Sequence, residues 1–329
     1  MAVASKPATG PAAFQRRGRF RPGDTVLYVL TLAAALSGVV LLVLIARELL
    51  MEASPAIHKF GSGFLTTEAW DKLDPHHPAQ KIYGARSFIF GTAVTSFGAL
   101  LLATPIAIAI ALFLTELAPR GVRGAVGVLV DMLAAIPSVV LGLWGILVLG
   151  PFIVNTLAPA LHGTLGWLPI FSTKPSVGSN VFAAILILTI MIVPIISSVC
   201  RELFLGVPQE LKDGALALGA TRWEVARGVT FPYARAGIAA AVILGLGRAV
   251  GEAIAVTQVI GNAVAIHWSL FDAGDTLASR IAGQYIGADT RIKVASLVYL
   301  ALILLVFSLI ANLLAQIIVR RVASRHRAA

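Results

Sequence analysis

Residues 207–232 read VPQELKDGALALGATRWEVARGVTFP and lie between two long apolar runs. An early proline suits the first position of a helix, and Gly219 is typical of a helix end, so we expect a first helix of about 11 residues. Thr221 and Glu224 have the spacing of a capping box, which predicts a second short helix that ends before Pro232. The stretch should form a helix–turn–helix hairpin held between two flanking helices.

The apolar runs around this hairpin are too extensive for a soluble fold. The chain of 329 residues is 58% hydrophobic and only 13% charged. A hydrocarbon core about 30 Å thick needs roughly 20 apolar residues per helical span. The sequence therefore predicts an all-α polytopic membrane protein with six transmembrane helices, at residues 25–46, 87–115, about 124–154, 181–200, about 237–261 and 294–319.

The basic residues predict the orientation of these spans. They are concentrated in both tails and in the connections after the second and fourth spans. By the positive-inside rule both termini are cytoplasmic, as is Arg222, whereas Trp70 and Asp275 are external. The net charge of +10 thus reflects membrane topology rather than a nucleic-acid surface. A DNA-binding role for the hairpin is also unfavourable, because acids nearly balance bases around it.

The spans divide the chain into segments with different expected roles. The first and last segments are basic, and the first is rich in Ala, Pro and Gly, which is typical of disorder. We predict a disordered cytoplasmic tail at 1–22, a six-helix permease domain at 23–321 with its core at 83–320, an external cap loop at 47–86, a cytoplasmic docking hairpin at 207–232 and a basic cytoplasmic tail at 322–329.

The predicted cap loop contains aromatic side chains and histidines. The aromatic residues suggest a structured cap or a partner contact, although Trp and Tyr also rest at membrane interfaces. No cysteine or ordered carboxylate spacing accompanies the histidines, so no metal site is expected. The aromatic residues are Phe60, Phe64, Trp70 and Tyr83, and the histidines are His58, His76 and His77.

The hairpin resembles the cytoplasmic loop of bacterial ABC importer permeases, whose pattern is Glu-Ala-Ala, three residues, Gly, nine residues, Ile-x-Leu-Pro. Glycine at position 214 departs from this pattern and should loosen the helix by about 0.5–1 kcal/mol relative to alanine. The matching positions are Asp213, Gly214 and Ala215 for the triplet, Gly219 for the glycine, and Val229, Phe231 and Pro232 for the final group.

Two further stretches are similar to the PstC-type permeases of bacterial phosphate importers. Residues 136–145 read IPSVVLGLWG, and residues 245–252 read GLGRAVGE, with Ala253 where the family usually has Thr. The sister PstA-type permease shares the Pro-Ser element but usually lacks Gly-Leu-Trp-Gly. The resemblance implies a type I ABC importer permease fold, phosphate as substrate, half of a translocation pore and a multi-pass position in the bacterial plasma (inner) membrane.

Arg248 and Glu252 are the charges expected to face the substrate. Arg248 lies near the middle of the predicted fifth span, where a charge is costly unless it faces a pore or a partner acid. Its planar fork suits two phosphate oxygens, and Glu252 lies one turn away on the same face. The alternative is a buried ion pair that only holds helices together.

Asp131 and Ser138 are weaker candidates for the substrate pathway. Asp131 lies within the predicted third span and is either a helix-packing partner or a second counter-charge. Ser138 follows Pro137, where a helix break would expose backbone donors to an anion, although a plain kink explains the proline equally well.

The sequence contains no Gly-Lys pair, so the chain lacks a nucleotide-binding loop of its own and is not expected to be an enzyme. No cofactor is expected on this chain, whereas ATP and Mg are used by the partner ATPase. The resemblance implies two copies of a PstB-like ATPase, a second PstA-like permease and an external PstS-like phosphate-binding protein. The ATPase-docking residues are then Asp213, Gly214, Ala215, Gly219, Trp223 and Pro232.

Two other functions remain open from the sequence. A permease of the same architecture for sulfate or molybdate would share these motifs. A secondary transporter or channel would leave the docking hairpin unexplained. A membrane-bound enzyme is disfavoured, because no paired carboxylates, metal-spaced histidines or nucleophile motif stands in the spans.

Overall fold

The computed structural model describes residues 22–74 and 80–324. Most of the predicted amino-terminal tail, His76 and His77, and residues 325–329 of the predicted carboxyl tail lie outside this part of the chain. The described residues form two compact units that divide after Glu48. The first unit is helical, and all contacts given below lie within the second.

Helices dominate the described chain, with one small antiparallel sheet. The first helix already begins at Pro22, and the last extends to Ser324, into the predicted tail. In chain order the elements are α1 (Pro22–Phe60), α2 (Gly63–Thr66), β1 (Trp70–Leu73), β2 (Lys81–Tyr83), α3 (Arg86–Leu112), α4 (Arg120–Ala134), α5 (Ser138–Trp144), α6 (Gly150–Phe152), α7 (Ala158–Leu165), α8 (Val181–Leu205), α9 (Gln209–Ala217), α10 (Arg222–Val225), α11 (Phe231–Gly251), α12 (Ile254–Val259), α13 (Leu277–Gln284) and α14 (Arg291–Ser324).

Short turns of other helical types join several of these elements. A 3₁₀ turn covers Pro169–Phe171. Turns of π-helix extend or link α-helices without ending the span, because they shift the hydrogen-bond register by one residue. They occupy Phe113–Leu117, Gly145–Leu149, Ile153–Leu157 and Ala226–Thr230.

Six helical segments among the described residues are long and apolar enough to cross a membrane, which confirms the predicted number. A helix is suited to this environment because it satisfies its own backbone N–H and C=O groups. The segments are Gly23–Phe60, Arg86–Leu117, Ser138–Leu165, Val181–Leu205, Arg222–Gly251 and Arg291–Ile317.

Helix α8 forms the centre of the second unit and packs against α3, α4, α11 and α12. It begins with a side-chain cap, because Asn180 Oδ1 accepts a hydrogen bond from Ala183 N at 2.9 Å. Small residues at four-residue spacing on α3 allow close helix packing. All are fully buried, and they are Ala99, Ala103, Ala107 and Ala111.

The third span differs from the predicted single helix over residues 124–154. Helix α4 ends at Ala134 and α5 begins at Ser138, so the chain breaks at Pro137. Proline lacks an N–H and disfavours helical geometry at the residue before it. The membrane-crossing segment is therefore Ser138–Leu165, and Asp131 lies on the separate helix α4.

The second helix of the hairpin does not end before Pro232, so that prediction was wrong. Helix α10 continues through the π turn into α11, which contains Pro232 in its first turn. The π turn changes the hydrogen-bond register where the missing proline N–H would otherwise interrupt it. The helical backbone of the hairpin thus continues into the fifth span.

The fifth span also ends earlier than predicted. Helix α11 stops at Gly251, Glu252 adopts an extended conformation with φ −72° and ψ 118°, and α12 begins at Ile254. The apolar composition continues across this interruption, so residues 237–261 resemble a single helix in sequence alone. In the structure they are two helices with an acidic residue at the joint.

The predicted cap, residues 47–86, begins within α1 and then folds into α2 and the hairpin β1–β2. Its aromatic anchors are buried against the last helices rather than left at the surface. The Phe64 and Tyr299 rings stack with their centroids 4.4 Å apart. Trp70 Nε1 donates a hydrogen bond to Gln284 Oε1 at 2.8 Å. These contacts favour the structured cap over side chains that only rest at an interface.

Asp71 adds a polar link between the cap and α14. Its carboxylate lies 2.6 Å from Lys81 Nζ and 3.2 Å from Lys293 Nζ, and it accepts a hydrogen bond from the Tyr83 hydroxyl at 3.1 Å. Partial burial raises the pKa of Asp71, but hydrogen bonds from Lys81, Lys293 and Tyr83 lower it more, so the net pKa is below its usual value.

Candidate functional site

The Arg248–Glu252 pair lies where α11 ends. Arg248 occupies the last turn of the helix, and its Nη2 atom is 2.9 Å from Oε2 of Glu252. The Arg248 side chain is 45% exposed, whereas that of Glu252 is 4% exposed. The carboxylate is therefore fixed in the protein interior, and the guanidinium extends from it toward open space. The contact predicted between these two side chains is confirmed.

The position predicted for Arg248, near the middle of a continuous span, was wrong because α11 ends at Gly251. A cation in the last turn of a helix interacts favourably with the partial negative charge of the helix carboxyl end. Glu252 has a second role here, since its Oε1 accepts a hydrogen bond from Ala255 N at 3.2 Å. Glu252 therefore caps α12 while it pairs with Arg248.

An open groove lies beside Arg248, between α8, α11 and α14. Its lining includes Arg248 and Ile195 together with two amide side chains of the last helix, Asn312 and Gln316. Amide and guanidinium groups supply hydrogen-bond donors that an oxyanion can accept. The groove thus combines a fixed positive charge with neutral donors on the facing helix.

Ser138 begins α5, directly after the break at Pro137, and its side chain is partly buried. Helix α5 packs against α12, the helix that Glu252 caps. The structure therefore brings together the two stretches that carry the family resemblance in the third and fifth spans. A role for Ser138 in binding an anion stays a prediction.

Two glycines of the Gly-Leu-Trp-Gly segment explain how closely α5 approaches α12. A Cβ atom on Gly142 would lie 2.6 Å from Gln258 Oε1 and 3.0 Å from the Ala255 Cα atom. A Cβ on Gly145 would lie 2.6 Å from Val259 Cγ1. All three distances are shorter than normal van der Waals contact, so these positions need glycine for packing.

Asp131 does not join the Arg248–Glu252 pair. It lies on α4, and its Oδ2 is 3.2 Å from Nη2 of Arg201 at the end of the fourth span. This contact agrees with the helix-packing alternative, because it links α4 to α8. A pathway role for Asp131 stays a prediction.

The hairpin turn at Gly219 has a conformation that other residues rarely adopt. Gly219 has φ +87°, in the left-handed region. Its N–H donates to Leu216 O at 2.9 Å, and Ala220 N donates to Ala215 O at 3.2 Å. These two bonds form a Schellman motif, which satisfies carbonyl groups at the end of α9. The predicted helix stop at Gly219 is confirmed.

The capping box that starts the second helix is also confirmed. Glu224 N donates to Thr221 Oγ1 at 3.3 Å, and Thr221 N donates to Glu224 Oε2 at 2.7 Å. On the first helix, Gln209 Nε2 donates to Asp213 Oδ1 at 2.9 Å, and Gly214 is open, with space for a Cβ atom. The two turns of the hairpin are thus fixed by local hydrogen bonds.

Large apolar side chains are exposed on this hairpin. Leu218 is 91% exposed and Trp223 is 60% exposed, and both flank the Gly219 turn. Leu211 and Leu216 of α9 are exposed as well. A contiguous exposed apolar patch with polar neighbours is typical of a protein-docking surface.

A buried ion pair attaches the hairpin to the second span, and sequence reasoning missed it. Lys212 Nζ lies 2.6 Å from Glu116 Oε1, and it also donates to Phe204 O at 3.1 Å. Arg222 Nη1 donates to the Glu116 carbonyl at 3.0 Å. The partners are about a hundred residues apart in sequence, so no local pattern indicates them.

No group of three or more His, Cys, Asp or Glu side chains placed to hold a metal ion occurs within residues 22–74 and 80–324. Cys200 is buried within α8.

Comparison with known proteins agrees with this arrangement. Residues 103–324 match the family described as binding-protein-dependent transport system inner membrane component. The chain is 40% identical to the phosphate transport system permease protein PstC of Mesorhizobium japonicum, with 93% of each chain covered. It is also 40% identical to the protein of that name from Haemophilus influenzae, covering 86% of this chain and 88% of the relative.

Solved structures share the fold at lower identity. A bacterial alginate ABC transporter chain matches with a TM-score of 0.60 and 18% identity, covering 92% of this chain and 97% of its own. A chain of the MetNI methionine ABC transporter matches with a TM-score of 0.52 and 20% identity, covering 71% of this chain and 94% of its own. These likenesses confirm the type I ABC importer permease fold. The chain therefore belongs to the family of binding-protein-dependent transport system inner membrane components, as a multi-pass protein of the inner membrane.

Proposed function

We propose that this chain is the permease subunit of an ATP-driven phosphate importer and forms half of its translocation pore. The observation that carries the proposal is the Arg248–Glu252 pair at the interrupted end of α11, beside an open groove. The relatives named as phosphate transport permeases support phosphate as the substrate.

The charge arrangement suits an anion that must leave water. Desolvating a phosphate costs free energy unless a cation compensates its charge. Arg248 supplies a permanent positive charge and a planar fork that can donate to two oxygens. Asn312 and Gln316 add neutral donors in the same groove. The groove therefore offers an oxyanion both charge compensation and hydrogen bonds.

Glu252 controls how tightly Arg248 holds an anion. When no anion is present, the carboxylate pairs with the guanidinium at 2.9 Å. When Arg248 turns to an anion, Glu252 keeps its hydrogen bond to Ala255 N, so it stays in place and competes for the cation again. This competition limits the residence time of phosphate and promotes its release.

ATP hydrolysis is proposed to come from separate subunits. The exposed apolar hairpin around Gly219, with Trp223 and Leu218 at its surface, would dock a PstB-like ATPase, which uses ATP and Mg. A PstA-like permease would complete the pore, and a PstS-like protein would deliver phosphate from outside. Both termini would be cytoplasmic, as the positive-inside rule predicts.

The hairpin is connected to the membrane helices in two ways, which supports a coupling role. Its second helix continues into α11 and hence reaches Arg248. Its first helix is attached to the second span by Lys212 and Glu116. Movement of a docked ATPase would therefore act on two spans at once.

The proposed function is tested by uptake into proteoliposomes that hold the complex isolated from native membranes. Its subunits are identified first, and uptake of labelled phosphate is then measured with ATP inside, with binding protein outside, and with sulfate or molybdate as competitors. ATP-dependent uptake that excess sulfate and molybdate leave unchanged is expected. Preference for sulfate or molybdate would assign the chain to another oxyanion, and uptake without an ATPase subunit would indicate a secondary transporter.

A further inference from the structure

A second arginine–carboxylate pair lies outside the membrane-crossing segments. Arg280 Nη2 is 2.6 Å from Asp275 Oδ2, and the two side chains are 7% and 0% exposed. They line a partly open pocket of about 240 Å³ between α12 and α13. Its other lining side chains are mostly polar and include Thr257, Asn262 and Gln284. The pocket has room for several water-sized groups, each about 30 Å³.

The guanidinium of Arg280 is held firmly but is not saturated. Its Nη2 also donates to Asn262 O at 2.9 Å, and its central carbon lies 4.9 Å from the centre of the Phe88 ring. Its Nε has no hydrogen-bond acceptor among the described residues, although it is buried. A buried charged donor without an acceptor is unfavourable, so this edge of the guanidinium is suited to an additional ligand.

Asp275 is held by the protein through Oδ1, whereas Oδ2 makes the ion contact with Arg280 but no well-formed hydrogen bond. Its Oδ1 accepts hydrogen bonds from Thr276 N at 2.8 Å and from the Ser279 hydroxyl. Burial raises the pKa of Asp275 and lowers the pKa of Arg280, while the attraction between the two opposes both changes. The pair is thus largely removed from water. A charged hydrogen bond is stronger in this buried environment than at a surface.

Gln284 supplies a second donor to the pocket. Its Oε1 accepts the hydrogen bond from Trp70 of the cap, which fixes the orientation of the amide. The Nε2 group is then left to donate, and it has no hydrogen-bond acceptor among the residues described. The pocket is therefore lined by two side chains with an unused donor, a charged and buried one on Arg280 and a neutral one on Gln284. An oxyanion accepts hydrogen bonds from both kinds.

Helix α12 connects this pocket to the Arg248–Glu252 pair. Glu252 caps the beginning of the helix, and Thr257 and Asn262 lie at its other end, in the pocket. Thr257 also donates to the Ser279 carbonyl at 3.3 Å. The helix has six residues, so it spans only about 9 Å. Two arginine–carboxylate pairs thus stand at opposite ends of one short helix.

We propose that the pocket around Arg280 is an outer phosphate-binding site, which receives the anion before it passes along α12 to Arg248. This inference rests on the proposed function and on the predicted external position of residue 275. Arg280 Nε and Gln284 Nε2 donate to the anion, and Asp275 holds the guanidinium in place.

The test uses the assembled permease and ATPase subunits without the external binding protein, and inorganic phosphate is the probe. Gln284→Glu keeps an acceptor for Trp70 but replaces the free donor by a negative charge. Ile286→Glu is the matched control, because it adds the same charge two residues away on a side chain that is 97% exposed. Binding of labelled phosphate is measured by equilibrium dialysis in the Arg248→Ala background, where the inner site is removed.

If the outer site exists, the Arg248→Ala complex retains phosphate binding. Adding Gln284→Glu should weaken that binding by about tenfold or more, because the anion loses a hydrogen bond from the amide. Ile286→Glu should change it little. The pair Asp275→Leu with Arg280→Met, which leaves no unpaired buried charge, should also abolish it.

Unchanged binding in folded Gln284→Glu and in the double variant would overturn the outer site and show a structural ion pair. Absence of any phosphate binding in Arg248→Ala would overturn it as well. These results leave the proposed function intact if the parent complex imports phosphate. Failure of the parent to import phosphate would reject the proposed function, and the binding arms would still decide on the pocket.

Discussion

Replacing Gly219 by alanine should weaken ATPase docking, whereas replacing Gly214 by alanine should strengthen it. Both glycines lie on the hairpin, and a Cβ atom at either position would have no heavy atom within 4 Å. Steric contact is therefore the same in the two variants. They differ in backbone conformation, because Gly219 has φ +87° and Gly214 is within helix α9.

The size of each effect follows from that difference. Alanine in the left-handed conformation costs about 1–2 kcal/mol, which opposes the Schellman turn at Gly219. Alanine within a helix is more stable than glycine by about 0.5–1 kcal/mol, which favours α9. If docking requires the hairpin in the observed conformation, destabilising the Gly219 turn by about 1–2 kcal/mol weakens docking by about 5–30-fold.

The assay measures binding of the purified ATPase subunit to the permease pair in nanodiscs. ATPase stimulation is measured on the same preparations. Gly214→Ala is the matched control, since it adds the same methyl group to the same hairpin. Equal effects of the two substitutions, or tighter docking by Gly219→Ala, would show that the turn conformation does not set the docking surface.

Three further results are expected. Glu116→Gln should uncouple ATP hydrolysis from uptake and destabilise the hairpin by several kcal/mol, because it leaves the Lys212 charge buried and unpaired. Adding Lys212→Met should restore stability, which thermal unfolding measures. The low pKa of Asp71 means that the link it forms between the cap and α14 is present above about pH 4 and is lost as pH falls further. The protection of cap amides against hydrogen exchange, corrected for the intrinsic pH dependence of exchange, should therefore fall on acidification, and Asp71→Asn should remove this pH dependence. An unchanged acid response in that variant would contradict it. A membrane-impermeant thiol reagent outside right-side-out cells should label Ile286→Cys but not Leu218→Cys. Both side chains are highly exposed, so the reverse labelling pattern would show the opposite topology.

Ile286 and Leu218 suit this labelling better than Trp70 and Asp275, the two residues predicted to be external. Trp70 and Asp275 are 4% and 2% exposed, so cysteines there would react poorly on either side of the membrane. Side-chain exposure depends on tertiary packing, and a hydropathy pattern does not report it.

The features predicted correctly from sequence are those with local causes. The six spans follow from apolar runs, and the hairpin turns follow from Gly219 and the Thr221–Glu224 box, whose partners are within a few residues. The break at Glu252 was missed because an apolar run does not show where a backbone leaves the helix. The hydrogen bond from Ala255 N to Glu252 joins residues only three apart, but glutamate is not among the residues that usually mark the start of a helix.

The contacts that the sequence did not specify join partners that are distant in the chain. Asp131 pairs with Arg201, and Lys212 pairs with Glu116, across 70 and 96 residues. Charge type and spacing indicate that each residue needs a partner, but not which one. Pro137 indicates either a kink or a break in the sequence alone. The structure shows a break, with a separate helix before it.

The central claim concerns the charge at Arg248, and conservative variants separate its possible roles. Arg248→Lys keeps the charge but loses the planar fork, so partial uptake is expected. Glu252→Gln removes the competing carboxylate, so phosphate should be held longer and turnover should fall. Arg86→Ala is the control, because Arg86 is also an exposed arginine paired with a glutamate, at 3.1 Å from Glu68.

The decisive measurement is phosphate uptake per assembled complex for Arg248→Ala beside Arg86→Ala, in membranes where insertion and partner assembly have been verified for each. We expect Arg248→Ala to lose nearly all uptake, because an uncompensated phosphate is excluded from the groove, and Arg86→Ala to transport at the parent rate. Parent-level uptake by a normally assembled Arg248→Ala complex would contradict the account and make the Arg248–Glu252 pair a structural ion pair.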